Sequence, residues 1–352
     1  MHWTVAAPFL ERDDNHWLTP YVPGERHQFQ LIPSQQPSAN WHNRHSSVSG
    51  WKEWVMYWQQ GKAAIEATQG GVITVFPQLA ATVGLQQQKM GRRIPVVAWL
   101  FNVGTCNPGI RRLAAQLSLH RIDRFIVHTR RERVLYSQWL NLPDDRFEFV
   151  PYQAPEIPIL YEENETQPFI VSLGSAHRDF PTLFKAVEAL NLPTIVASGK
   201  RALEGLPIPA QVQTPFGISR SDCLRLAQEA RINVIPLMPN PKATAAGQVT
   251  LVEAMRMGRA IIATRCHGAD DYIQHGETGL LVDPQSVDDL KQAIEQLWND
   301  PQLRQRLGNA AKQYAAQHFS DEAAGIALGR ILDSVADQIS VRGVGKTKWS
   351  TT

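Results

Sequence analysis

The sequence predicts an α/β protein of two domains, each a parallel sheet flanked by helices. Three observations predict it. Short β-branched runs alternate with longer helical stretches, the pattern of parallel strands joined by crossover helices. The runs fall into two series of six, separated by a proline-rich stretch. The length of 352 residues suits two ordinary cores better than one.

The first series reads as strands at residues 2–7, 28–32, 72–76, 95–101, 123–128 and 147–150, enough for one sheet. The second reads as 169–173, 194–197, 211–213, 232–235, 260–263 and 279–282. Between them, residues 151–168 hold four prolines and the acidic Glu162, Glu163 and Glu165, which suits an extended connection. Apolar residues recur at helical spacing over 287–297 and 303–317, and Ser320 before Asp321 and Glu322 caps a final helix expected over 321–339. The domains are therefore expected at 1–155 and 166–320, with 340–352 a flexible polar tail.

Hydrophobic residues at 43% against 19% charged, with 23 prolines and 23 glycines, exclude a disordered, collagenous or coiled-coil chain. Lys and Arg number 35 against 33 Asp and Glu, a net charge of +2. That field is too weak to hold nucleic acid, which is not an expected partner, so any polyanion must be met locally. Cys106, Cys223 and Cys266 are odd in number and far apart, fitting neither a disulfide framework nor a CxxC metal site. No apolar run approaches the roughly 20 residues of a membrane span, and the start lacks a basic region and cleavage site. A cytoplasmic protein is expected.

The most informative stretch is GQVTLVEAMRMG at 247–258, followed by the apolar RAIIAT and then CHGADD. A glycine-started helix carrying Glu253, then a buried strand and another glycine loop, makes a crevice at the carboxyl ends of parallel strands, where nucleotides bind. From about Asn233 to Phe319, through VEAMRMGRAIIAT and GADDYIQHGETGLLVDP, the chain resembles the C-terminal domain of the family 4 retaining glycosyltransferases of the GT-B fold.

The resemblance implies two Rossmann-like domains facing across a cleft, the final helix crossing back to the first. It also implies a nucleotide-diphosphate sugar as donor substrate, with no cofactor required. In relatives the second Glu of a pair, here Glu253, holds the ribose hydroxyls; the first, which touches the donor sugar, falls on Ala245 in an ungapped reading. The helix start Gly247, Gln248, Val249 and Thr250 is expected to line the donor. Relatives carry cations in the first loop of this domain to neutralise the leaving diphosphate; here Ser175 stands where the Arg usually is, and Arg178 is the remaining cation. Lys242 corresponds to a lysine beside the pyrophosphate. Arg178 and Lys242 are thus the expected catalytic pair. The plainer alternatives are a solvated helix Glu, a loop Arg paired with Asp179 and a solvated loop Lys.

The first half resembles the superfamily more faintly, chiefly at residues 123–152, where Thr129, Arg130 and Arg133 match a scaffold pattern. Relatives often place a catalytic His after an earlier strand; here that loop begins at Asn102 and contains none. Acceptor-side candidates are His16, Asn102 and His128, the last also readable as a packed strand-end histidine. Eight of the ten tryptophans lie in the first 150 residues, and Trp51, Trp54 and Trp58 recur at helical spacing. They read either as a core stripe or as an acceptor platform or membrane-interface face.

Adjacent acids never form the Asp-x-Asp with which the other large glycosyltransferase fold holds its metal, so no divalent ion is expected. GVGKT at 343–347 mimics the end of a phosphate loop without the strand before it. The expected activity is retaining transfer of a hexose-type sugar to a carbohydrate, lipid-linked or small-molecule acceptor, with peripheral membrane contact left open. Ala245, Ser175 and the missing histidine leave two alternatives: a non-catalytic GT-B binding or scaffold protein, or a GT-B nucleotide-sugar epimerase.

Overall fold

A computed structural model describes residues 1–10, 17–34 and 50–346. The chain divides into two compact units, Met1–Val150 together with the segment from Asp321, and Pro151–Ser320. His16 and Trp41 lie outside the described residues.

The first unit is built on strands β1 (His2–Ala6), β2 (Gln28–Ile32), β3 (Gly71–Val75), β4 (Val96–Trp99), β5 (Arg124–Val127) and β6 (Phe147–Phe149). They pair in the order β2-β1-β3-β4-β5-β6, all parallel. Every residue of β3, β4 and β5 is buried, as a parallel sheet covered on both faces requires. Helices α1 (Trp51–Ala67), α2 (Pro77–Lys89), α3 (Ile110–Leu119) and α4 (Arg130–Leu140) cover one face, around Tyr57, Leu79, Val83, Leu119 and Tyr136. The long terminal helix α11 (Asp321–Lys346) covers the other with Leu328, Ile331, Leu332 and Val335 against Trp3, Trp17 and Trp99. His27 fixes α11: its Nδ1 accepts from Trp3 at 3.0 Å and its Nε2 meets Asp333 at 3.0 Å.

The expected bounds hold for β2 and for the strands at 194–197 and 232–235, and elsewhere strand ends differ from them by at most two residues. Phe76 and Leu100 take positive φ, 75° and 51°, which turns them out of the extended chain. The final helix continues through Lys346, past Ile339 and into residues expected to be a flexible tail. No proline interrupts Ser340 to Lys346, so nothing breaks the backbone ladder there although two glycines fall within it. The tryptophan stripe of α1 is not core: Trp51, Trp54 and Trp58 are 73%, 42% and 38% exposed, because the sheet takes the neighbouring face of Tyr57, Gln60, Ala64 and Ile65.

In the second unit, β7 (Ile170–Leu173), β8 (Thr194–Ala197), β9 (Val212–Gln213), β10 (Ile232–Ile235), β11 (Ile261–Thr264) and β12 (Leu280–Val282) pair in the order β12-β11-β10-β7-β8-β9, again parallel. Helices α5 (Phe180–Leu190), α6 (Lys200–Leu203) and α9 (Val287–Asn299) pack on one face. On the other lie α8 (Gln248–Arg256) and α10 (Pro301–His318), packed through Leu251, Met255, Ala311 and Ala315, and α7 (Arg220–Glu229), through Leu226. The proline-rich stretch is tied along this unit. Tyr152 N donates to Tyr272 Oη at 2.8 Å and Ala154 N to Phe319 O at 2.9 Å. Gln228 Oε1 accepts from Leu160 N and Tyr161 N, and Glu163 accepts from Arg231 and Arg304.

Candidate nucleotide site

In the second unit the order turns at β10-β7, where consecutive connections run to opposite edges of the sheet. Such a switch point is where ligands enter α/β sheets, at the carboxyl ends of the strands. Three loops meet there, after β7, β10 and β11. Their backbones are tied directly: Met238 N donates to His177 O at 2.8 Å, and His267 Nε2 bonds Met238 O at 2.8 Å. The two imidazole rings lie 5.5 Å apart.

Arg178 follows β7 and folds back over it. Its Nε and Nη2 both donate to Leu173 O, at 3.1 and 2.9 Å, its Nη1 to Ala176 O at 3.0 Å, and its Nη2 also to Thr250 Oγ1 at 3.1 Å. This path requires Gly174, whose φ is +91° and whose missing Cβ would stand 2.7 Å from Nη2. Asp179 does not pair with Arg178; its Oδ1 caps α5, accepting from Thr182 N at 3.2 Å. Burial lowers the guanidinium pKa to about 10, which leaves it charged at neutral pH. A cation held by carbonyls and a hydroxyl, rather than by a carboxylate, keeps its positive field for an anion.

Helix α8 begins at Gly247, with φ +90°. Its first amides have no intrahelical acceptor and project positive charge outward from the helix start. Thr250 Oγ1 donates to Gly247 O at 2.9 Å while accepting from Arg178, so the helix start and the cation are joined. Gln248 is buried and its Nε2 donates to His267 O at 2.7 Å, so it braces the loop; Val249 is 43% exposed. Ser175 Oγ accepts from Gly199 N at 2.7 Å and from Ser198 Oγ at 3.0 Å, tying the β7 loop to the one after β8. Lys242 is exposed, and its backbone N donates to Asn240 Oδ1 at 3.0 Å. Ala245 is buried.

Glu253 lies in the second turn of α8 with its side chain 13% exposed, and its Oε1 accepts from Arg220 Nη2 at 2.6 Å. Burial raises its pKa and Arg220 opposes the rise. It is therefore not a solvated helix glutamate. Arg220 was not singled out by sequence reasoning. The available signal was Ser219, whose Oγ accepts from Asp222 N and starts α7, placing Arg220 in that helix's first turn. His177 and His267 were not singled out either; His267 lies in the CHGADD loop, but no spacing relates it to His177, 90 residues earlier.

In the first unit the candidates do not gather into one cluster of side chains. Asn102 is exposed, its Oδ1 accepting from Gly104 N at 2.7 Å. His128 is buried at the end of β5, with Nδ1 2.8 Å from Val150 O and its ring edge-on to Trp99. Beside them, buried Glu132 accepts from His128 N, Thr129 N and Tyr136 Oη, and Tyr136 Oη accepts from Val103 N. The loop bearing Asn102 is thereby held to α4. Burial raises the Glu132 pKa to about 7 against these hydrogen bonds. Among the described residues no group of three His, Cys, Asp or Glu side chains is arranged to hold a metal ion. Among the same residues no helix is long and apolar enough to cross a membrane.

Residues 156–314 match the family Glycosyl transferases group 1. Alpha-D-kanosaminyltransferase from Streptomyces kanamyceticus is 34% identical over 83 residues, 24% of this chain and 22% of that enzyme. The chain thus spans under a quarter of that curated relative's length. Sucrose-phosphate synthase from Thermosynechococcus elongatus superposes with a TM-score of 0.69 at 16% identity, over 96% of this chain and 99% of that one. Anabaena HepE, in a complex with UDP, gives a TM-score of 0.63 at 14% identity over 87% and 86%. With two parallel six-stranded sheets and these likenesses, the fold is GT-B.

Proposed function

From a chain that carries a glycosyl transferases group 1 domain over residues 156–314, we propose retaining glycosyl transfer from a nucleotide-diphosphate sugar to a hydroxyl acceptor. The observation that carries this reading is the joining of Arg178 to the start of α8 through Thr250. It supplies a fixed cation and free helix amides where a diphosphate would lie, with the Glu253 carboxylate one turn further along for ribose hydroxyls. UDP is the first nucleotide to test, since the structural neighbour HepE is described with UDP and with UDP-glucose.

In the reaction, the bond from the anomeric carbon to the diphosphate oxygen breaks and its electron pair leaves with the nucleotide diphosphate. The acceptor oxygen bonds to the same face of the oxocarbenium-like sugar, and its proton passes to the departing phosphate. Charge builds on the diphosphate in that step, where Arg178 and Lys242 act. Each neutral substitution should therefore lower turnover more than it weakens donor binding, and the two effects should fail to add because they share one phosphate partner. Kinetics of Arg178→Ala, Lys242→Ala and the double variant test this; near-normal turnover for either removes that residue from the step.

Ala245 and the engaged Ser175 favour a second reading, a GT-B binding module without turnover. Release of sugar from UDP-sugars without acceptor, measured over the full chain, separates the two: binding with no hydrolysis and no transfer selects the module.

A further inference from the structure

The outward face of α3 inverts the usual pattern of a surface helix, which turns its apolar stripe inward. Ile110, Leu113 and Leu117 are 82%, 65% and 60% exposed, and at helical spacing they fall within an arc of about 60°. Ser118 and Leu119 are the buried residues of this helix. The ridge is thus a second apolar face, additional to the one the fold consumes.

Its electrostatic surroundings are one-sided. Between Glu66 and Asp123 the chain carries six arginines and lysines and no acidic residue. Arg93 is paired with Asp123 at 2.5 Å, and the Arg112 guanidinium is held by the carbonyls of Trp139 and Gln138. Lys89 and Arg111 make no ion pair among the described residues. Gln88 Nε2 donates to Leu117 O at 2.6 Å, which sets the exposed end of α2, with Lys89 and Met90, beside the last turn of α3. On the same helical layer α1 turns Trp51 and Trp54 to solvent, and tryptophan suits the headgroup level of a bilayer.

We propose that the outer face of α3 is a membrane-docking surface whose partner is an anionic phospholipid bilayer. Aliphatic side chains flanked by unspent cations meet both demands of an interface, apolar insertion and attraction to anionic headgroups. A second copy of the chain is disfavoured by the same charges, because self-pairing of this face brings the unpaired Lys89 and Arg111 of two copies together. Helix α3 starts just past the loop bearing Asn102, at the carboxyl edge of its sheet. A bilayer seated there would present a lipid-linked acceptor on the side where the acceptor candidates lie. That last step rests on the proposed transfer reaction; the docking does not.

The test is flotation of the full chain with vesicles of phosphatidylcholine alone and of phosphatidylcholine mixed with phosphatidylglycerol, with UDP affinity and sedimentation measured in parallel. The wild type should float with the mixed vesicles, not with phosphatidylcholine alone, and less at high salt. Ile110→Ser with Leu113→Ser and Leu117→Ser should lower partitioning at least about tenfold, and Lys89→Gln with Arg111→Gln about 25-fold, each charge contributing roughly fivefold. Both variants should keep the melting temperature and UDP affinity, since these side chains are exposed. Absence of flotation, equal flotation of either variant, or a dimer abolished by the triple substitution without vesicle binding would overturn the proposal. Intact UDP binding alongside any of these would leave the transfer reading standing.

Discussion

At the residue scale the pairing of Glu253 with Arg220 carries the most information. The carboxylate is nearly enclosed, burial pulls its pKa upward, and the guanidinium at 2.6 Å opposes that pull. Glu253→Gln removes a charge-assisted acceptor and should weaken UDP binding by about 1.5 to 3 kcal/mol, the range for a hydrogen bond to a charged group. Calorimetry on the folded variant checks this, and unchanged affinity would remove Glu253 from the site. Arg220→Ala should act differently. Without the cation the Glu253 pKa rises further, so UDP affinity should fall more steeply than in the wild type as pH drops below neutral. A parallel pair of pH curves would show that Arg220 only packs.

At the scale of the element, α8 is the piece that converts sequence into site. Its start needs a left-handed residue at 247, and a Cβ there would sit 3.1 Å from Ile235 Cγ2 and 3.3 Å from Leu237 Cδ2. Gly247→Ala should therefore cost about 1 to 3 kcal/mol and weaken nucleotide binding by displacing the first-turn amides. Urea unfolding with UDP titration tests both; an unperturbed variant would show that the loop relaxes freely. In this helix Leu251, Val252 and Met255 turn to the core, and the glycine start and the Glu253 carboxylate were legible in the sequence. The partner on α7 was not, because Arg220 and Glu253 are 33 residues apart and no period links them.

For the molecule as a whole, the buried Glu132 couples stability to pH. Its folded pKa of about 7 lies above the ordinary 4.5, so the native state binds the proton more tightly than the unfolded chain. The neutral-carboxyl advantage is complete below the unfolded pKa and is lost as pH rises toward 7, on the order of 3 kcal/mol in all. Glu132→Gln should flatten the slope of unfolding free energy between pH 4.5 and 7; a slope unchanged by the substitution would place its origin elsewhere. By itself the sequence determined the α/β class, twelve parallel strands in two series and the glycine-started helix with its carboxylate, because each is set by local periodicity, by glycine conformation or by residue type. Only the tertiary structure decided which polar groups meet. It spent Arg178 on carbonyls and Thr250 instead of Asp179, gave Glu253 its arginine, turned Trp51, Trp54 and Trp58 outward and left the ridge of α3 uncovered. Those outcomes depend on which face each sheet claims from its helices and on contacts between loops distant in the chain, and neither quantity is written in the spacing of residues along it.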